Sequence, residues 1–207
     1  MFFSTIEALL IISLSYMLYR FHFTEFFLKK TVVCILLSVI SYTLRFQIGE
    51  TLAPYIVPLI YIFVFAFFLI FISKIPTIWS VIISLSGYSY FIAFQTLIVI
   101  VLQSLGIINL NEAQNNTFDT YLVQLTTVLI AFPTAFSLQR KGIGFTFDLE
   151  KYRWKIEKIL VVFFLIISLF TISFIFYINN LFIGLVVFFL LLSLLIYYGF
   201  KKEVGEN

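Results

Sequence analysis

Long apolar runs without polar alternation limit what this chain can fold into. Residues 56–73, "IVPLIYIFVFAFFLIFIS", contain no charge, and a membrane-spanning helix needs about 20 predominantly apolar residues. A transmembrane barrel would instead alternate polar and apolar residues in segments of about ten. The 207 residues are 62% hydrophobic and only 11% charged, whereas a soluble domain is about 25% charged. The sequence predicts an all-α integral membrane protein whose helices form a bundle in the lipid bilayer.

Seven apolar segments are predicted to cross the membrane as one polytopic domain covering residues 1–207. No basic residue precedes the first apolar run and no small-residue cleavage site follows it, so we expect a retained helix rather than a signal peptide. The second segment is the shortest, and it extends past Arg45 if that long side chain reaches the interface. The predicted spans are 3–19, 31–44, 54–73, 77–105, 121–138, 159–177 and 181–200.

Lysine and arginine residues are divided unequally between the two predicted sides of the membrane. Twelve of the thirteen lie in alternate loops or in the C-terminal tail, and only Arg45 lies on the opposite side. Short cytoplasmic loops carry an excess of these residues. We therefore predict a multi-pass protein of the cell membrane with its N-terminus outside and its C-terminus in the cytoplasm. The net charge of +3 gives no argument for nucleic acid, because topology explains where the positive residues lie.

The densest group of charges is the predicted cytoplasmic loop 139–158, "QRKGIGFTFDLEKYRWKIEK". Asp148 is suited to cap a helix start, and Arg153 and Glu157 form an i,i+4 pair. We predict a short interfacial helix in this basic loop. Three roles stay open: a passive topological anchor, a coupling element that moves with the bundle, or a site for anionic lipid. The candidates for membrane-interface or coupling residues are Tyr152, Arg153, Trp154 and Lys155.

Polar residues within the apolar segments are the candidates for binding a ligand. Glu7 is the only acid embedded in an apolar run, and ionisable groups inside a membrane are costly and often functional. It either reaches water or caps the helix start, or it faces an outward-open cavity and meets a donor there. In the fourth span, polar residues fall within a sector of about 100° on one helix face. That face either makes interhelical hydrogen bonds or lines a ligand. The ligand-lining candidates are Glu7, Ser84, Tyr88, Gln95 and Gln103.

The fifth span carries small residues at every fourth position, Thr127, Ala131 and Ala135. Small residues at this spacing let membrane helices approach closely. We predict that this face packs against neighbouring helices.

No catalytic motif is present. Cys34 is the single cysteine and His22 the single histidine, and both lie near the predicted cytoplasmic face. Cysteine–histidine pairs form nucleophiles in enzymes, but no orienting carboxylate accompanies this pair, and a lone apolar-phase cysteine is usually a packing residue. We predict no catalytic residue, no metal site and no cofactor.

Three stretches carry a resemblance to a known family. They are "STIEALLIISLSYMLYRF" at the start, "KIPTIWSVIISLSGYSYFIAF" at the fourth span, and a closing helical hairpin that ends in "YYGFKKEV". In architecture, nearly the whole chain resembles the membrane sensor half of peptide-pheromone receptor histidine kinases, the accessory gene regulator sensor type with GHKL-class kinase domains. The resemblance implies binding of an extracellular peptide or small amphipathic signal, and a homodimer or a receptor as partner. The sequence ends soon after the last predicted span and holds no kinase part, so we do not expect kinase activity from this chain by itself.

Two other functions stay open. One is a small permease or transporter membrane subunit, although the chain shows no internal repeat and few intramembrane charges. The other is a membrane peptidase that processes a peptide pheromone, although a catalytic constellation is missing.

Overall fold

The computed structural model describes residues 2–21, 26–49, 52–108, 118–141 and 144–145, and single helical residues between 183 and 200. These residues form α-helices joined by turns, and none of them lies in a strand. The predicted all-α class is therefore confirmed for this part of the chain. The helices are α1 (Phe2–Leu18), α2 (Phe27–Ile48), α3 (Ala53–Phe71), α4 (Thr77–Ser104) and α5 (Phe118–Arg140).

Three of these helices are long and apolar enough to cross a membrane: α2 over Phe27–Gln47, α4 and α5. Helix α1 and residues Ile56–Phe71 of α3 are apolar but shorter. In helix length and composition, the described residues match a helical membrane protein.

The second helix differs most from its predicted span. α2 has 22 residues, whereas the sequence predicts only 31–44, because Lys30 and Arg45 interrupt the apolar run. The helix continues through both positions, and Lys30 is buried within the bundle. The sixth span, most of the seventh, and the coupling candidates Tyr152, Arg153, Trp154 and Lys155 lie outside the described residues.

Helix α1 contacts α2, α4 and α5. Helix α4 also contacts α3 and α5, and α3 packs against α2. Side-chain contacts give the directions of the helices. Phe3 contacts Tyr121 near the start of α1 and α5, with ring centroids 5.2 Å apart, and Gln139 donates to the carbonyl of Phe21 near their ends. These two helices therefore run parallel. Helices α2 and α4 run opposite to α1, as short loops between consecutive helices require.

This alternation places six of the seven described basic residues at one end of the bundle. We call it the basic end, and it holds Arg20, Lys29, Lys30, Lys74, Arg140 and Lys141. The opposite end, here the Glu7 end, holds Glu7, Arg45 and Asp119. Arg20 and Lys74 have positive φ angles of 51° and 55° just after α1 and α3. Each positive charge thus lies beside the negative end of a helix dipole.

Helices α1 and α4 approach each other closely where they cross at Gly87. A Cβ atom placed there would lie 2.8 Å from Ser15 Cβ and 3.0 Å from the carbonyl oxygen of Ile11. The hydroxyl of Ser15 donates to the same carbonyl, at 2.9 Å, within its own helix. Lipid offers no hydrophobic drive for association, so small residues that permit close backbone packing stabilise such a contact.

The buried face of α5 consists of Val123, Thr127, Ala131 and Ala135. Thr127 and the two alanines are fully buried, and α5 contacts α1 and α4. The prediction that these small residues form a packing face is confirmed.

Candidate functional site

A carboxylate held by two amides lies at the Glu7 end, where three helices meet. Gln95 of α4 donates from Nε2 to Oε1 of Glu7, which is on α1, at 3.3 Å. Gln124 of α5 also hydrogen-bonds to this carboxylate. The three side chains are half-buried, so they are held by the bundle without being sealed from its surroundings. We call Glu7, Gln95 and Gln124 the Glu7 cluster.

Helices α2 and α3 contribute further polar groups around this cluster. Arg45 interacts electrostatically with Glu7, and its side chain is exposed at the rim. Tyr61 and Tyr88 are buried and lie close enough to Glu7 to interact with it electrostatically. All five described helices therefore contribute a polar side chain to this end.

The chemistry of the cluster is that of a hydrogen-bond acceptor. An ionised carboxylate only accepts, and each glutamine offers an amide oxygen besides the nitrogen that donates. Once each glutamine donates one N–H to Glu7, the groups left for a ligand are the amide oxygens, the second N–H of each amide, and any lone pairs of the carboxylate still free. Such a surface is complementary to a donor-rich group, above all an ammonium. The Phe3–Tyr121 aromatic pair at the same end provides an adjacent apolar surface.

The structure brings some of the predicted ligand-lining residues together and separates others. Glu7, Gln95 and Tyr88 belong to one group. Ser84 is fully buried further towards the basic end, and its hydroxyl donates to the carbonyl of Ser80 in its own helix at 2.6 Å. Gln103 is exposed near the end of α4 and has no place in the cluster.

Gln124, Tyr61 and Arg45 are the members of the site that sequence reasoning missed. Gln124 is one of the few uncharged polar residues of the fifth span with a long side chain. That feature could have identified it as a candidate from the sequence. Tyr61 lies in an otherwise apolar helix and gives no local signal.

At the basic end, the beginning of loop 139–158 is attached to α1. The backbone N–H of Phe145 donates to the carbonyl of Leu18 at 2.8 Å, and the ring of Phe145 contacts Tyr19. Gly144 has a φ of +154°, and a Cβ there would lie 2.8 Å from the carbonyl oxygen of Met17. Glycine therefore permits the close approach. An apolar cavity of about 260 Å³ lies beside this contact and is lined by residues including Leu14, Met17, Tyr90, Phe145, Ile196 and Phe200.

The two residues considered for nucleophilic chemistry are not seen together. Cys34 is fully buried in α2, next to Lys30, and His22 lies outside the described residues. Among the described residues, no group of three or more His, Cys, Asp and Glu side chains could hold a metal ion.

A scan of protein-family models gives no match, and searches of curated proteins and of solved structures give none either.

Proposed function

We propose that the chain is the multi-pass membrane part of a sensor that binds an extracellular peptide or small amphipathic signal at the Glu7 cluster. The observation that carries this proposal is the carboxylate of Glu7 held between Gln95 and Gln124, on three different helices. Ionisable groups in apolar segments are costly and mark functional sites. The resemblance to membrane sensors of peptide pheromones supports the same reading.

The proposed topology has seven spans, with the N-terminus outside the cell membrane and the C-terminus in the cytoplasm. This topology is supported by the unequal number of basic residues at the two ends of the bundle. Six described basic residues lie at the basic end, and Arg45 is the one described basic residue at the Glu7 end. The excess of Lys and Arg on cytoplasmic sides then turns the Glu7 end outwards. A signal in the external medium would meet the Glu7 cluster first.

The proposed ligand carries a primary ammonium beside an apolar group. The ammonium competes with Arg45 for Glu7 and donates to the glutamine oxygens, while the apolar group packs on Phe3 and Tyr121. A peptide with a free amino terminus has this chemistry.

Transmission of the signal is proposed to run along α1. Its outer turns carry Glu7, and its last residue, Leu18, accepts the hydrogen bond of Phe145. The coupling candidates Tyr152, Arg153, Trp154 and Lys155 follow Phe145 closely in the chain. A ligand shifts such an equilibrium only by its differential affinity for the two conformations. The partner that reads the shift is a receptor or a second copy of the chain.

The proposal can be tested with the purified full chain in detergent and a short aromatic peptide with a free amino terminus. Binding is followed by the change in tryptophan fluorescence, and the N-acetylated peptide is the matched ligand control. We expect Glu7→Gln to weaken binding of the free-amine peptide about tenfold, or ~1.4 kcal/mol. The variant should melt close to the wild-type temperature, because glutamine keeps the size and polarity of the side chain.

Gln103→Leu is the control variant, since Gln103 lies on the same helix as Gln95 but outside the cluster. It should bind like the wild type. Equal binding of both peptides, or equal binding by wild type and Glu7→Gln, would show that the carboxylate recognises no ammonium and would reject the proposal.

A small permease is the second candidate function. The observation that favours it is a group of buried polar or ionisable side chains on α2, namely Lys30, Cys34, Ser38 and Ser41.

A further inference from the structure

Helix α2 buries mostly polar or ionisable side chains on its inner face, with the apolar Leu37 beside them, and its outer face is mainly apolar. Lys30 and Cys34 are 0% exposed, Ser38 is 2% and Ser41 is 5% exposed. At 3.6 residues per turn these positions fall within a sector of about 80°, and we call them the α2 seam. The opposite face carries exposed apolar side chains, namely Val32, Ile35, Leu36, Val39, Ile40 and Phe46.

The seam faces α1 and α3, the helices that α2 packs against most extensively in the described part of the chain. At the basic end, Lys30 Nζ lies 3.4 Å from the ring centroid of Tyr16 on α1. Further along, Ser41 hydrogen-bonds to Tyr61 of α3.

At its other end the seam meets the Glu7 cluster. Tyr61 interacts electrostatically with Glu7 and also with Cys34, and Cys34 interacts with Lys30. Polar groups therefore follow one another from the basic end to the Glu7 end through the interior of α1, α2 and α3.

The contact of Lys30 with the Tyr16 ring stabilises one end of this arrangement, but stability alone gives little reason for the serines. Side-chain hydrogen bonds between membrane helices contribute only about 0.6 kcal/mol on average. Ionisable residues within membrane helices typically face a bundle interior or a water-filled cavity. A polar helix face that is buried against neighbouring helices in one conformation can contact water in a second conformation, in which those helices separate.

We propose that the α2 seam is the closed state of a water path through the bundle. In the open state α2 moves away from α1 and α3, and water and small hydrophilic solutes enter from the Glu7 end as far as Cys34. The path is a property of α2 and needs no ligand at Glu7.

The native cysteine makes the proposal testable, because Cys34 is the only thiol in the chain and lies inside the seam. The full chain is reconstituted in liposomes and treated with a small hydrophilic methanethiosulfonate reagent, and the modified fraction is followed by intact-mass measurement. The control carries Cys34→Ser with Ile35→Cys, one residue away on the outer face, where the bilayer core excludes water. We expect Cys34 to react about tenfold faster than position 35, a difference of ~1.4 kcal/mol. Equal rates would overturn the proposal.

The direction of access is tested by filling the seam on the Glu7 side of Cys34. Ser41→Leu should slow the reaction of Cys34 about tenfold, again ~1.4 kcal/mol, whereas Tyr42→Leu, on the exposed face, should leave the rate unchanged. Ser41→Val makes a smaller change with the same expected direction, and it replaces Ser41→Leu if that variant is not monodisperse. A rate that neither Ser41 variant alters would mean that the reagent arrives by another route, and the proposed path would be rejected.

Discussion

The amide nitrogen of Gln95 lies 3.3 Å from Oε1 of Glu7, and this contact joins two antiparallel helices across 88 residues of sequence. It brings the one acid of the first apolar segment together with a glutamine of the fourth. The carboxylate obtains hydrogen-bond donors there, which lowers the cost of holding it inside an apolar bundle.

Replacing Gln95 by glutamate should destabilise the bundle. Gln95→Glu removes the donor and sets a second carboxylate against Glu7, and an unsatisfied buried polar group costs about 1–3 kcal/mol. We expect a lower apparent melting temperature, by about 2–4 °C per kcal/mol for a chain of this size, in a thermal unfolding scan of the detergent-purified protein. Gln103→Glu adds the same charge at an exposed position and should melt like the wild type. Similar melting of the two variants would contradict the pairing of Gln95 with Glu7.

Adding a single methyl group at the α1–α4 crossing should also lower stability. Alanine is a better helix former than glycine by about 1 kcal/mol, so Gly87→Ala would stabilise a helix with free space around it. Here the new Cβ meets Ser15, and overpacking costs about 1–3 kcal/mol. We expect a lower melting temperature for Gly87→Ala and little change for Ser84→Ala, whose hydroxyl bonds only within α4. Recovery of stability in Gly87→Ala with Ser15→Gly would identify the clash. A more stable Gly87→Ala variant would show that the crossing is looser than described.

Tyr16 should contribute to stability in two separable ways. Its hydroxyl lies 2.9 Å from the hydroxyl of Ser73, and its ring faces the ammonium of Lys30. Tyr16→Phe removes only the hydroxyl bond, worth about 1 kcal/mol. Tyr16→Leu also removes a desolvated cation–π contact, worth about 2 kcal/mol.

A double-mutant cycle distinguishes the lost cation–π contact from the lost ring volume. Tyr16→Leu should lower the melting temperature more than Tyr16→Phe does. This difference should become smaller in a Lys30→Met background, where the ammonium is absent. It should persist in a Lys29→Met background, because Lys29 is exposed and does not contact the Tyr16 ring. Melting temperatures of the six proteins supply the cycle. An extra cost that is identical in both backgrounds would mean that the ring does not stabilise Lys30.

The sequence predicted the helical class and located helices α1–α5. An uncharged apolar run of this length can satisfy its backbone hydrogen bonds in lipid only as a helix, unless it belongs to a closed barrel. The predicted second span, 31–44, stopped short of Lys30, and an extension past Arg45 was left open. The full helix α2 includes both residues, and Lys30 belongs to its buried face. A charged residue that is buried against a neighbouring helix cannot be told from a loop charge without knowledge of that neighbour.

The candidate site was predicted only as separate residues. Glu7 and Gln95 were recognised because polar groups in apolar segments are costly. Their pairing depends on how far α1 and α4 slide past each other, which Gly87 and Ser15 set through close packing. Gln103 satisfied the same angular criterion as Gln95, yet it lies two turns further along α4 and outside the contact. Angle on a helix is readable from the sequence, whereas depth in the bundle depends on tertiary packing.

The central claim is that the Glu7 cluster opens to the outside of the cell, and a pair of glutamines on α5 tests it most directly. Gln124 belongs to the cluster, and Gln139 lies near the basic end; both are half-buried. Each is changed to cysteine in a Cys34→Ser background, and intact cells are treated with a membrane-impermeant maleimide. Gln124→Cys should be labelled in intact cells, and Gln139→Cys only after permeabilisation. Labelling of Gln139→Cys in intact cells, with Gln124→Cys protected until permeabilisation, would contradict the orientation and the proposed external binding site.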